Sequence, residues 1–263
     1  MPEFIWPCSA AAIPVVDKMK LFADYHTHTV FSDGLGTVRE NAASAAARGL
    51  SEVAITDHGP RNIVTGMKGL DKLNIMLEEV ARVNRLDLGV KVLAGLEASV
   101  VSSSGELELS RRAVKQLDLL VAGLHPYFLP RQLKDLWHFV LPNHLGRVRR
   151  SSGAKLKNTN TKALTEAVRR YPVDIVSHPN FMMPVELQEL APVCAERNSS
   201  LEINTGHVYN KDMIVLAAQK AGAKLVINSD AHTPQRVGDL ASGLALVERL
   251  KFPLQRVVNL RLE

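Results

Sequence analysis

Cysteine is almost absent from the 263-residue chain, which holds only Cys8 and Cys194. Two thiols build neither a disulfide framework nor a four-cysteine zinc site, and a reducing cytoplasm is their simplest setting. No apolar run reaches the 18 or more residues of a membrane span. The stretch 1–18 is apolar at Phe4-Ile5-Trp6 and from Ala10 to Val16, but Pro7 and Pro14 interrupt it and no Lys or Arg precedes it. It does not read as a signal peptide. We expect an extension there, disordered or outside the native unit, with one folded domain over 19–263. Neither a G-x-S-x-G nucleophile elbow nor a P-loop occurs, so the usual signatures of serine hydrolases and phosphate-cradling loops are missing.

What is present suits a packed enzyme-sized domain. Apolar residues make up 46%, which excludes disorder, and 16 Gly with 13 Pro exclude a fibrous or low-complexity chain. The length fits one α/β barrel. Strands are expected at Leu21–Tyr25, Glu52–Thr56, Lys91–Gly95, Asp118–Gly123, Val173–Ser177, Ser200–Ile203 and Lys224–Asn228. They are rich in Val, Ile and Leu without polar alternation, as in a parallel sheet buried on both faces. Helical patterns lie between and after them: Thr37–Arg48, Leu70–Arg85, Leu107–Lys115, Thr161–Arg170, Val185–Arg197, Asp212–Ala221 and Ser242–Leu250. This alternation predicts a parallel α/β barrel. One segment breaks the rhythm, at about 126–161, and reads as an insertion over one end of the barrel.

The histidines mark that end. His26 and His28 follow the first strand, His58 the second, His125 the fourth, His178 the fifth and His232 the seventh, while Glu97 closes the third and Asp230 stands beside His232. Carboxy-terminal strand ends share one face of a parallel barrel, and that face hosts active sites. His-x-His and Asp-x-His place both side chains on one side of an extended strand. Imidazoles and carboxylates are the donors that Zn²⁺, Mn²⁺ and Fe²⁺ accept. Asp33 could join them, or could cap the next helix or close an Asx turn. Asp24 and Asp57 flank these residues and read as hydrogen-bond partners that orient them.

The stretches Asp24-Tyr-His-Thr-His-Thr-Val-Phe-Ser-Asp-Gly34, Ile55-Thr-Asp-His-Gly-Pro60, Gly95-Leu-Glu-Ala98, Gly123-Leu-His-Pro126, Ser177-His-Pro-Asn180 and Asn228-Ser-Asp-Ala-His-Thr233 resemble the polymerase and histidinol phosphatase (PHP) superfamily, in family order. The resemblance implies a distorted seven-stranded (β/α)7 TIM-like barrel with three divalent ions, Zn, Mn or Fe. It implies His26, His28, Glu97 and Asp230 around the first ion and Glu97, His125 and His178 around the second, with Glu97 bridging. Asp33, His58 and His232 would hold the third. Some relatives carry a His one residue after Asp33. Gly34 stands there, so this assignment follows the relatives that use Asp. The implied chemistry is phosphoester hydrolysis by a hydroxide shared between two ions, with Glu97, Asp230 and His232 acting through the metals. A metal-bound water or His207 would protonate the leaving group.

The implied substrate is a small phosphomonoester. Arg61, Lys68, His207 and Arg236 are candidate phosphate contacts. Relatives acting on histidinol phosphate continue their Asn-Thr segment with an Arg a few residues later. Here the chain reads His207-Val208-Tyr209-Asn210. The better likeness is to stand-alone phosphatases of the superfamily, which share Thr159-Asn160-Thr161. Three other readings compete. A 3′-5′ exonuclease or nucleotide phosphoesterase would use Phe128, Trp137 and Phe139 to stack bases. A non-catalytic metal-binding scaffold predicts lost ligands, but all nine positions are filled. An amidohydrolase-type deaminase would carry a bridging Lys on the fourth strand, where Gly123-Leu124-His125 stands. The net charge of +5 is local: 131–162 holds Arg131, Lys134, Arg147, Arg149, Arg150, Lys155, Lys157 and Lys162 against Asp135, or +7, leaving −2 for the rest. No membrane association is expected, and the oligomeric state is not legible.

Overall fold

The computed structural model describes residues 19–148 and 153–262. The expected extension over 1–18, and Arg149 and Arg150 of the basic cluster, lie outside the described residues. Among the described residues nine strands form: β1 (Met19–Leu21), β2 (Ala23–Thr27), β3 (Glu52–Ile55), β4 (Lys91–Ser99), β5 (Leu119–Gly123), β6 (Ile175–Val176), β7 (Ser200–Asn204), β8 (Lys224–Asn228) and β9 (Leu260–Leu262). The helices include α1 (Val38–Ala47), α2 (Leu70–Asn84), α3 (Arg111–Val114), α4 (Leu133–Asp135), α5 (Leu141–Val148), α6 (Ala154–Arg170), α7 (Leu187–Arg197), α8 (Asp212–Ala221) and α9 (Ala241–Arg249). No helix among the described residues is long and apolar enough to cross a membrane.

β2 to β8 form one seven-stranded parallel sheet in chain order, curled into the predicted barrel. Local chemistry sets its helices. Thr37 and Glu40 make a reciprocal capping box at the start of α1, satisfying amides that the first turn cannot. α2 buries Leu73, Met76, Val80 and Val83, one stripe at helical spacing. Most of the core lies between the helices and the outer face of the sheet. Inside the barrel a smaller cluster of Val121, Ile175 and Val226 fills the interior, with Tyr25, Leu119 and Val258 against it.

The barrel closes imperfectly between β2 and β8, which share no ladder. Backbone bonds from His28 to Ala231 (2.8 Å) and from Ala231 to His26 (3.3 Å) join them at the carboxy-terminal end. Lower down, the Asn259 side chain replaces the ladder: its amide donates to Ala23 O on one side and Ile227 O on the other, and accepts from Ile227 N. Asn259 is held there by the antiparallel ribbon of β1 and β9. The single strand expected at Leu21–Tyr25 is therefore two, β1 in the ribbon and β2 in the barrel.

Other boundaries also differ. β4 runs on to Ser99, so Glu97 lies within the strand. The helix expected over Leu107–Lys115 shrinks to α3, because Leu107 bridges to Val100, buried Glu108 and Leu109 follow in a bend, and Ser110 caps the short helix after them. The helix expected from Thr161 begins seven residues earlier, at Ala154. The expected insertion is helical over 133–148. Phe128 and Phe139 are buried against each other at 5.6 Å, and Asp135 accepts from Ser103 N and Oγ. Asn143 and Asn160 exchange amide hydrogen bonds that tie α5 to α6. Two of the three aromatics suggested for stacking bases are thus core, and Trp137 alone is exposed.

Candidate metal centre

Glu97 stands at the centre of the barrel mouth, fully buried. Its Oε1 lies 3.2 Å from His125 Nε2 and 2.9 Å from His178 Nε2. Its Oε2 lies 3.3 Å from His26 Nε2, 2.9 Å from His58 Nδ1 and 3.8 Å from His28 Nε2. Asp230 Oδ1 sits 3.0 Å from His28 Nε2 and 3.5 Å from His26 Nε2, and its Oδ2 sits 3.0 Å from His207 Nε2. Asp33 Oδ2 reaches His232 Nε2 at 3.2 Å, while its Oδ1 is 3.9 Å from His28 Nδ1 and 4.0 Å from His58 Nε2. All nine residues expected as ligands converge here, although they span 207 positions from His26 to His232.

The backbone is bent to achieve this. His178 and Asp230 adopt positive φ, 26° and 52°, a region that non-glycine residues enter at a cost of about 1–3 kcal/mol and that recurs at functional sites. Gly34 explains why the ligand falls to Asp33. A Cβ at position 34 would lie 2.5 Å from the carbonyl carbon and oxygen of His28, so this loop admits no side chain there. Gly123 is equally constrained, since a Cβ would meet Ser177 Oγ at 2.3 Å and crowd His125.

A ring of partners fixes the donors. His26 Nδ1 contacts Glu202 Oε1 at 2.7 Å, which turns Nε2 toward Glu97 and Asp230. Glu202 also accepts from His178 N, Asn204 and Asn228. Sequence reasoning misses this buried acid, whose one signal is a lone carboxylate inside an apolar strand. His125 Nδ1 meets Ser99 Oγ at 3.0 Å. Asp57 accepts from Thr29 and Ser32, fixing the turn that carries Asp33, and Asp24 accepts from His26 N, Ser229 and Gly238 N. Both acids hold loops rather than imidazole rings. Glu108, likewise unanticipated, accepts from Ser99 N and Arg61 N at 2.6 Å each.

The electrostatics match a cation site. Burial opposes charge on Glu97, yet His26, His125, His58 and His178 hold its carboxyl well below the usual range. Asp230 is likewise low, because His26, His207 and His28 outweigh its burial. Burial, with His58 and His232 close by, drives His28 down to about 3, so that ring is neutral. His232 goes the other way: burial opposes its charge, but Asp33 and Asp230 raise it to about 9. His26 Nε2, His28 Nδ1 and Glu97 Oε2 are buried without a well-aligned hydrogen bond, despite the short approaches to Glu97, and buried polar atoms are rarely left so. Donor atoms gather into three groups within 4.8 Å: His28, Asp33, His58 and His232; His26, His28 and Asp230; His58, Glu97 and His125. Nitrogen and carboxylate donors in overlapping groups fit divalent transition metals.

Above the donors lies a cleft of about 210 Å³ whose walls include Val64, Tyr127, Phe181, Met182 and His207. His207 stacks on Phe181 at 3.9 Å with the rings 14° apart. Of the residues expected to contact phosphate, His207 lines this cleft and the other three do not. The Arg61 guanidinium donates instead to Leu129 O and Pro130 O, pinning the loop after β5. Arg236 pairs with Asp239 at 3.4 Å, and Lys68 is exposed outside the walls.

Comparison with known proteins is consistent across sequence and fold. The PHP domain family matches residues 24–232. A protein of Shewanella pealeana named probable phosphatase is 30% identical over 252 residues, 92% of this chain and 89% of that protein. A probable phosphatase of Caldanaerobacter subterraneus is 28% identical over 259 residues, 92% and 88% of the two chains. Among solved structures, the histidinol phosphate phosphatase of Lactococcus lactis, complexed with zinc, L-histidinol and phosphate, superposes with a TM-score of 0.56 at 15% identity. The alignment covers 89% of this chain and 95% of that one. That likeness is one of fold.

Proposed function

The chain belongs to the PHP domain family, and from that premise we propose that it is a metal-dependent phosphatase acting on small phosphomonoesters at a trinuclear site. The observation that carries this reading is the set of buried donor atoms on His26, His28 and Glu97 that crowd together at the barrel mouth without a well-aligned hydrogen bond. His26, His28, Glu97 and Asp230 would hold one ion, Glu97, His125 and His178 a second, and Asp33, His58 and His232 a third. The three observed donor groups share His28 and His58, which supports adjacent ions. Zinc, manganese or iron would serve, supplying Lewis acidity toward the phosphoryl oxygens and lowering the pKa of water at the site.

The chain's own residues do the rest. Glu97 turns Oε2 toward His26 and Oε1 toward His125 and His178, so one carboxylate serves both proposed donor sets. Glu202 locks the His26 tautomer, and Ser99 positions His125. His207, held by Asp230 and stacked on Phe181, stands in the cleft wall where a leaving alkoxide would need a proton. No Lys or Arg lines the cleft among the described residues, so compensation of phosphate charge falls to the metals. A reducing, cytoplasmic setting agrees with Cys194, a free thiol that burial raises to about 12.

A screen with added Zn²⁺ or Mn²⁺ tests the reading. Release of inorganic phosphate from monoesters without cleavage of single-stranded DNA supports it. Cleavage of DNA in preference to monoesters would favour the exonuclease, and metal binding without turnover of either would favour a scaffold.

A further inference from the structure

We propose that the cleft selects phosphomonoesters whose alcohol carries a compact apolar or aromatic group, seated on a wall formed by Val64, Tyr127, Phe181 and Met182. The proposal rests on the phosphatase reading and names the substrate class that the site prefers.

The cleft is divided by polarity. Its floor is built from Asp33, His58, His125, His178, Asp230 and His232, the residues proposed to hold ions. Its wall is largely hydrocarbon, from loops after β3, β5 and β6. The wall offers no cation to a second phosphate: no Lys or Arg lines the cleft among the described residues, and Asn62 Oδ1 already accepts from Val64 N and Thr65 N. A second anionic group on the substrate would therefore enter without a cationic side chain beside it, and buried unpaired charge is strongly disfavoured. A flat apolar group meets no such penalty.

The wall is also preformed. Phe181 is stacked face to face on His207, which Asp230 holds at 3.0 Å, and the Tyr209 ring lies 5.5 Å behind. Such a rigid ring pair offers contact area at little cost in ordering. Two of the wall's side chains, Val64 and Met182, line the cleft and are themselves exposed to solvent. The volume of about 210 Å³ is below the roughly 300–1000 Å³ of sites that enclose drug-sized ligands. It suits a phosphate with one ring or a short branched chain.

The test compares 3-phenylpropyl phosphate with glycerol 3-phosphate on the metal-loaded protein. Both release primary alkoxides, so their ratio of kcat/KM reports on binding to the wall. We expect the phenylpropyl ester to be favoured by about tenfold or more, as apolar pockets discriminate by roughly 10–200-fold. In the double variant Val64→Ser with Met182→Ser, both changes at exposed positions, that ratio should fall several-fold. Equal kcat/KM values, or a ratio untouched by the double substitution, would overturn the proposal. If neither ester is turned over, the phosphatase reading fails on its own account. The wall is then decided by calorimetry with hydrolysis-resistant phosphonates: 2-phenylethylphosphonate must bind tighter than 2-hydroxyethylphosphonate, and the reverse order would refute it.

Discussion

The imidazole of His26 meets the Glu202 carboxylate at 2.7 Å on the edge turned away from the metal centre, and both side chains are wholly buried. Glu202 fixes which nitrogen faces the ions and, through His178 N, fixes a second donor on the neighbouring strand. Replacement of Glu202 by Gln keeps the shape and removes the charge. Partners of this kind are worth about 10–100-fold in metal affinity. Glu202→Gln should weaken Zn²⁺ or Mn²⁺ binding by that factor while the circular dichroism spectrum stays native. Unchanged affinity would show that Glu202 is packing alone.

Removal of a donor should cost more than removal of its support. Asp230→Asn keeps a residue type tolerant of the left-handed backbone that position 230 adopts, and His178→Ala removes one ring nitrogen. Each should lower hydrolysis by roughly a hundredfold or more, beyond the range for outer partners, with a cooperative melt retained. Full activity in either variant would sink the assignment.

Gly34 makes a steric prediction. The methyl of Gly34→Ala would collide with the His28 carbonyl at 2.5 Å, so the turn carrying Asp33 must shift. Stability should fall by about 1–3 kcal/mol, as overpacking typically does. Metal content by atomic emission should fall with it, the lost ion being the one proposed at Asp33, His58 and His232. A melting temperature equal to that of the parent would contradict the turn geometry.

Metal uptake should depend on pH with a definite sign. In the metal-free protein, acidic neighbours outweigh burial to raise His26 well above its ordinary value and His232 to about 9, so both rings carry protons at neutral pH. An ion must displace those protons, because imidazole binds metal only when deprotonated at the donor nitrogen. Apparent affinity should therefore rise from about pH 6 to about pH 9, and titration in buffers of different ionisation enthalpy should register proton release. Affinity that falls over this range would reverse the assigned protonation.

How much of the fold and site is legible in the sequence has a chemical basis. Histidine after a buried strand is conspicuous, and six such positions in one α/β pattern could converge on one face only. Phe22 could not announce that the chain leaves a ribbon and enters the barrel there, because both neighbours are equally extended and apolar. Glu202 was hidden by its strand, where one acid among apolar residues reads as an edge. Leu107, Glu108 and Leu109 imitate a helix start, yet the bridge of Leu107 to Val100 and the burial of all three keep them out of a helix. Arg61 could not be distinguished from a phosphate ligand, since its partners are backbone carbonyls that no sequence displays.

Asn259, which stitches β2 to β8, sets the order in which the molecule can be finished. His26 and His28 are made well before Asp230, the carboxylate that meets both and comes 202 residues after His28. The amide that closes the barrel comes 236 residues after Ala23. A nascent chain halted before residue 230 exposes its first two imidazoles without the acid that completes their donor set. A ribosome must deliver the chain from His26 through Asp230 before that pocket is assembled, and as far as Asn259 before the cylinder is stitched closed.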